Sequence, residues 1–322
     1  MRNILCVTLI ALLGGCTSTS VTEKYQDKRN DIINVKDKVI EFETGNVLIG
    51  SVSRLYMSNK CLLIADHKSV DKQIHIFNKN DFSYLTSIGN FGEGPEEITV
   101  MGCLAIDEAH HQLYVSDHAK QKIFSYDMDS VMVDSLYKPQ VKTAMNETLF
   151  PSEYQYINDT LSIAVLIKPT STSTFNQFLG RWNMNTGEMI PMKYTHPDIQ
   201  KKRITFAASE KAGIYVECYT RHDLMTICSL DGELLYNIYG PDWDGGNGNK
   251  LQSFGTVMIG NDKIFVSYCG EDYARDSFPT KILVFDLEGN YLKTLETGYK
   301  ISDCCYDSFN NRIILSLNDV VQ

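Results

Sequence analysis

The sequence has no run of Lys and Arg longer than the three residues Lys201 to Arg203, and its net charge is -10. A surface that follows a phosphate backbone needs a basic footprint, so nucleic acid is excluded as a partner. Helical periodicity is absent too. No long window repeats apolar residues at intervals of three and four, which leaves α/β and helical folds without support. The apolar run from Ile4 to Leu13 is too short to span a bilayer. The nine cysteines contain no Cys-x-x-Cys pair and no partner His at zinc spacing, so neither a zinc knuckle nor a redox motif is present. A Gly-x-Ser-x-Gly elbow is missing. The stretch Gly92 to Glu96 lacks the Lys and Ser/Thr of a phosphate-cradling loop.

What the sequence does have is recurrence. Residues Leu113 to Asp127, LYVSDHAKQKIFSYD, read as two strands around a polar turn, with apolar residues at a period of two. Similar first strands begin at Leu62, Leu161, Ile214, Ile264 and Ile313, a spacing of about fifty residues. Each is preceded by a short run such as VSRLYM, CLAID or ITFAA, and all but the last are followed by two further strands. Six units of four short antiparallel strands predict an all-β six-bladed β-propeller over residues 38–322. The sixth unit runs out after Ile313 to Asp319, while KVIEFETG at Lys38 to Gly45 reads like the closing strand NYLKTLETG. An open ring leaves an exposed edge. The amino-terminal strand Val39 to Phe42 is therefore expected to close the last blade. The third strand of that blade would come from Asp319 to Gln322 or from Asp31 to Val35.

Residues 1–16 have a charged start at Arg2, an apolar core, and the ending Leu13-Gly14-Gly15-Cys16. That ending resembles a bacterial lipobox. The resemblance implies a signal peptide over 1–15, lipid attachment at Cys16 and a membrane anchor. Thr17 in place of Asp after the cysteine implies the outer membrane, on its periplasmic side, with surface exposure as the alternative. The polar stretch 16–37 reads as a flexible tether. The seven remaining cysteines are odd in number and fall mostly in expected strands, where a thiol behaves as a small hydrophobe. Cys218 and Cys228 are the one pair that a hairpin could bring face to face.

The hairpin LYVSDHAKQKIFSYD is similar to the NHL-type repeat. IGNFGEGPEEI, Ile88 to Ile98, resembles the G-x-G-P-x-E element of TolB-like six-bladed propeller lipoproteins of anaerobic Gram-negative bacteria. The resemblance covers essentially the whole chain and implies its architecture, while leaving its chemistry unassigned. Asp66 and Asp117 are not repeated in the later units, where Val165, Glu217, Ser267 and Ser316 stand instead. They read as turn caps rather than as a repeated functional acid.

In such a fold the loop after the second strand of each blade and the connection between blades share one face. That face gathers the longer loops, which on a rigid scaffold usually carry function. Its candidate ligand-binding residues are His67, His118, Arg221 and His222, just past second strands; Trp243, one of two tryptophans; and Glu271, Asp272, Tyr273 and Arg275. Trp243 suits either an aromatic platform or packing over a neighbouring blade. Asp242, Asp244 and Asn247 among glycines offer oxygen ligands to Ca2+. No catalytic trio can be assigned by spacing. The reading is a monomeric cell-envelope lipoprotein that binds a protein, peptide or glycan through this face. Its alternative is a calcium-dependent hydrolase or lyase like the gluconolactonase and paraoxonase type, which requires carboxylates and an Asn converging at the top of the channel.

Overall fold

Two three-residue strands, β1 (Glu23–Tyr25) and β2 (Ile32–Asn34), precede the repeating units. Blade 1 is β3 (Ser53–Met57), β4 (Cys61–Asp66), β5 (Lys72–Asn78) and β6 (Tyr84–Asn90). Blade 2 is β7 (Met101–Asp107), β8 (Gln112–Asp117), β9 (Lys122–Asp127) and β10 (Gln140–Ala144). Blade 3 is β11 (Phe150–Asn158), β12 (Leu161–Pro169), β13 (Phe175–Trp182) and β14 (Met189–Pro191). Blade 4 is β15 (Ile204–Ser209), β16 (Ile214–Tyr219), β17 (Leu224–Ser229) and β18 (Leu234–Tyr239). Blade 5 is β19 (Leu251–Gly260), β20 (Lys263–Asp272), β21 (Lys281–Asp286) and β22 (Tyr291–Glu296). Blade 6 has two strands among the described residues, β23 (Ile301–Asp307) and β24 (Arg312–Leu317). This computed structural model describes residues 22–134, 136–247, 251–272, 275 and 277–318.

Within a blade, consecutive strands pair antiparallel, as in β3-β4-β5-β6. The second strand is buried along most of its length in blades 1 to 5 because a neighbouring blade covers each of its faces. All six residues of β4 and all six of β16 are buried. The core is accordingly divided into six clusters, one at each junction between adjacent blades. The ring closes where Cys305 and Ile314 of blade 6 meet Leu62, Ile64 and Phe77 of blade 1. Asp303 adds a link there, accepting from the Leu55 N–H at 2.7 Å.

Three expectations change. Val39 to Phe42 forms no strand. Ile40 of that stretch is exposed, and only Phe42 finds an apolar seat, stacked on Phe82 at 4.1 Å over the closing junction. Asp31 to Val35 does not serve blade 6 either, since β2 pairs with β22 of blade 5; Asp319 to Gln322 lie outside the described residues. In blade 2 the stretch SVMVDSLY from Ser130, whose sequence reads as that blade's outer strand, instead begins in a single helical turn, α1 (Met128–Val131), because the Asp127 carboxylate caps it by accepting from the Ser130 N–H at 2.7 Å. The seven described cysteines are buried and free. Cys218 opposes Met225 and Cys228 opposes Tyr215, so the two point to opposite faces of blade 4.

The stretch expected as a tether is ordered from Thr22 on. β1 pairs parallel with β18, and β2 with β22, so the chain covers the outer edges of blades 4 and 5 before the first blade begins. Arg29 locks this strap. Its guanidinium donates to Asp223 at 2.8 Å, with side-chain exposures of 8% and 0%, and faces the rings of Tyr268, Phe285 and Phe254 at 5.4–5.8 Å. Burial pushes the Asp223 carboxyl up, and Arg29 offsets part of that rise. Removing Arg29 leaves a carboxylate with no cation in a dry site. Arg29→Ala is expected to cost about 3–5 kcal/mol in denaturant unfolding near neutral pH. The folded state then holds the Asp223 proton to a higher pH than the unfolded chain does, so the loss shrinks as pH falls. Asp223→Asn in the same background is expected to restore part of the stability. An equal loss at neutral and acid pH would show that Asp223 is not the group left stranded.

Candidate functional site

On the loop-rich face, turns are held by acids at the ends of second strands. Asp66 accepts from the N–H groups of Gly50, Lys68 and Ser69 at 2.7, 2.9 and 3.2 Å. Asp117, fully buried, accepts from Thr99, Val100, Ala119 and Lys120 at 2.8–3.2 Å. Both are caps, as their isolation in the repeat implied. Lys120 crosses to the carbonyls of Gly94 and Glu97 at 2.6 and 2.5 Å and pins the glycine-rich connection to blade 2. The face is therefore preorganised around its rim.

At its centre the inner strands bring charges together. Arg54 of β3 reaches Glu153 of β11, two blades away, at 2.8 Å. Their side chains remain 46% and 37% exposed, so a solute in the channel mouth can reach both. Burial opposes the Arg54 charge, but Glu153, Tyr56 and Asp303 together outweigh it and the guanidinium is held above its ordinary value. Asp303 of β23 joins three blades, accepting from the Leu55 N–H and from the Thr256 hydroxyl at 2.6 Å. Burial raises its carboxyl, with Thr256 partly compensating.

His67 and His118 lie beside this pair. The His67 Nδ1–H donates to the Met101 carbonyl at 3.2 Å, which leaves Nε2 as an acceptor, buried and without a partner among the described residues. His118 packs its ring edge on Phe150 and its Nε2 against Gly102. A Cβ at Gly102 would stand 2.5 Å from that nitrogen, so only glycine admits the imidazole there. Burial first, and Arg54 after it, holds His67 below its ordinary value. For His118, burial also dominates, and Asp117 and Arg54 pull in opposite directions.

Of the residues singled out by sequence, His67 and His118 are thus brought together. His222 is not with them. It is buried at 7% exposure, with its ring 6.0 Å from that of Trp243 and its Nδ1 3.8 Å from Asp244. Trp243 packs on His196 and Tyr239 at 5.7 and 5.0 Å, which makes it part of a blade contact rather than an open platform. Arg221 lies half-buried on the same turn. Asp242 receives the Tyr268 hydroxyl at 3.4 Å, Asp244 faces His222, and the Asn247 amide donates to the Asp244 carbonyl at 3.2 Å, so these oxygens turn to separate partners. Glu271 and Asp272 end β20, exposed, and Arg275 reaches Glu271 at 3.3 Å. Tyr273 and Cys16 lie outside the described residues.

Arg54, Glu153 and Asp303 went unnoticed in the sequence. Their signal is a polar residue at one inward position of VSRLYM, EYQYI and ISDCCYD, visible only when the inner strands are compared across blades. Titration by imidazole NMR is expected to show His67 and His118 remaining neutral below the ordinary histidine value. Their resistance to protonation withdraws stability as pH falls through that value. Arg54→Met is expected to raise both midpoints. Midpoints that stay in place would mean that Arg54 does not act on them.

A family model described as a 6-bladed beta-propeller, DUF5128, matches residues 17–177. No curated protein matches the chain. Among solved structures, a Bacteroides fragilis protein described as exported shares 14% identity, with a TM-score of 0.52 over 86% of this chain and 80% of its own. A member of the DUF4221 family from Bacteroides vulgatus shares 9% identity, with a TM-score of 0.54 over 83% of this chain and 87% of its own. At such identities the likeness is one of fold. With six junction cores and a family match that spans the strap, the first two blades and the third as far as the start of β13, the chain belongs to the DUF5128 family of six-bladed β-propellers.

Proposed function

We propose that this propeller is a binding module of the cell envelope and that its ligand enters the channel mouth on the loop-rich face. The observation that carries this reading is the Arg54–Glu153 pair, which stays open to solvent beside two neutral imidazoles. A guanidinium and a carboxylate that are both open to solvent suit a polar ligand that both donates and accepts hydrogen bonds, such as part of a glycan or a peptide. Glu153 is answered by Arg54, and Asp303 by Leu55 and Thr256. That arrangement favours recognition over the cradle of carboxylates and Asn that a calcium-dependent hydrolase needs.

The envelope location is supported by the charged, apolar and small-residue order that ends in Cys16, and by the similar B. fragilis protein described as exported. A lipid on Cys16 would anchor the chain to the outer membrane, facing the periplasm. The strap is ordered from Thr22, six residues after Cys16. A lipid anchor there would keep the rim of blade 4 within roughly 20 Å of the bilayer.

Thermal melts against panels of glycans and peptides are expected to give an upward shift with one class of ligand. Arg54→Met is expected to abolish that shift while the variant keeps native circular dichroism; a shift that survives would place binding elsewhere. Cys16→Ala is expected to move the protein from the membrane fraction to the soluble one, and retention with membranes would refute the lipid anchor.

A further inference from the structure

The face opposite the channel mouth carries the short turns between first and second strands, and polar links cross several of its blade junctions. The Asn59 N–H donates to Glu108 at 2.7 Å between blades 1 and 2, and the Asn261 amide donates to the Ser308 carbonyl at 2.9 Å between blades 5 and 6. Between blades 6 and 1, Asp307 is neutralised by Lys79 at 3.7 Å and Arg312 at 3.1 Å. The junction of blades 2 and 3 is built differently. There, a carboxylate faces a carboxylate.

Asp107 occupies in blade 2 the turn position that Asp307 occupies in blade 6, and His110 stands where Asn310 does. Asp107 is 1% exposed, and among the described residues it has no Lys or Arg ion pair. Across the junction lies Asp159, and between the two is the His110 Nδ1, at 2.8 Å from Asp107 and 4.0 Å from Asp159. Lys142 sits over the Tyr114 ring instead of bridging the acids. Where blade 6 is served by two cations, this junction places two acids around one imidazole.

We propose that Asp107, His110 and Asp159 form a binding site for a divalent transition metal that bridges blades 2 and 3. Their ligand atoms all lie within 4.8 Å of one another. Metal–ligand bonds of about 2.0–2.2 Å need ligand atoms about 3.3–3.5 Å apart, between the two separations seen here. Each carboxylate is oriented by a phenol: the Tyr114 hydroxyl donates to Asp107 at 3.2 Å and the Tyr156 hydroxyl donates to Asp159 at 2.6 Å. One imidazole nitrogen and two carboxylates suit zinc, cobalt or manganese better than calcium or magnesium, which prefer all-oxygen cages. Exposure of 57% at His110 and 63% at Asp159 leaves room for water to complete the coordination. The site is independent of the channel mouth and of any ligand bound there.

The test is calorimetric titration of the chelator-stripped protein with Zn2+, paired with Co2+ absorption. One equivalent is expected to bind and to raise the melting temperature. His110→Ala and Asp159→Asn alter exposed side chains, and each is expected to weaken binding by about tenfold or more while keeping native circular dichroism. Tyr156→Phe is expected to weaken it less, and Asp244→Ala to leave it unchanged. Failure to bind one equivalent, binding that survives His110→Ala, or a cobalt spectrum with thiolate charge-transfer bands would each overturn the site.

Discussion

A strand that is apolar on both faces is stable only when something covers each face, and this chain repeats that demand at every second strand. Blades therefore cannot stand alone. Each supplies half of two cores, and the six junction clusters are the result. The same demand forces closure, because blades 1 and 6 would otherwise leave Leu62, Phe77 and Ile314 in water. Closure is accomplished by face packing and by Asp303, whose hydrogen bonds join blades 5, 6 and 1. Once the junctions absorb the apolar residues, polar side chains remain in three places: the axis and the two faces.

The strap adds a second constraint. Blades 4 and 5 would present bare outer edges, and β1 and β2 cover them in parallel register. An edge alone fixes position weakly. The buried Arg29–Asp223 pair, ringed by three aromatics, makes the placement specific, as does the Glu23 carboxylate that receives the Asn237 amide at 3.0 Å and the Tyr239 hydroxyl. The residues that would carry the chain from a membrane anchor are thus part of the propeller.

The repeat was legible because period-two alternation and turn residues are local properties, and they placed nearly all of the strands. The caps Asp66 and Asp117 were legible for the same reason. Three features were not. The strap depends on parallel pairing between segments more than two hundred residues apart, and EKY and IIN have no alternation long enough to register. Phe42 looked like a strand residue because KVIEFETG reads like the closing strand NYLKTLETG, yet its role is one stacked ring. The axial cluster is the deepest gap, since Arg54 and Glu153 meet across the ring and neither belongs to a loop. Loop length pointed to the face on which Arg54 and Glu153 also meet. It also pointed to Trp243 and His222, whose size favoured packing between blades over exposure.

The central claim is that the channel mouth recognises a ligand through its opposed charges, and charge exchange tests it most directly. Arg54→Glu combined with Glu153→Arg keeps an ion pair across the ring while reversing its polarity. Each single reversal sets like charges face to face and should lower the melting temperature, and the double exchange should restore it. If the mouth is the binding site, the ligand that stabilises the native protein will fail to stabilise the double variant, although the fold has recovered. Undiminished binding by a restored double variant would reduce Arg54 and Glu153 to a structural pair and contradict the account.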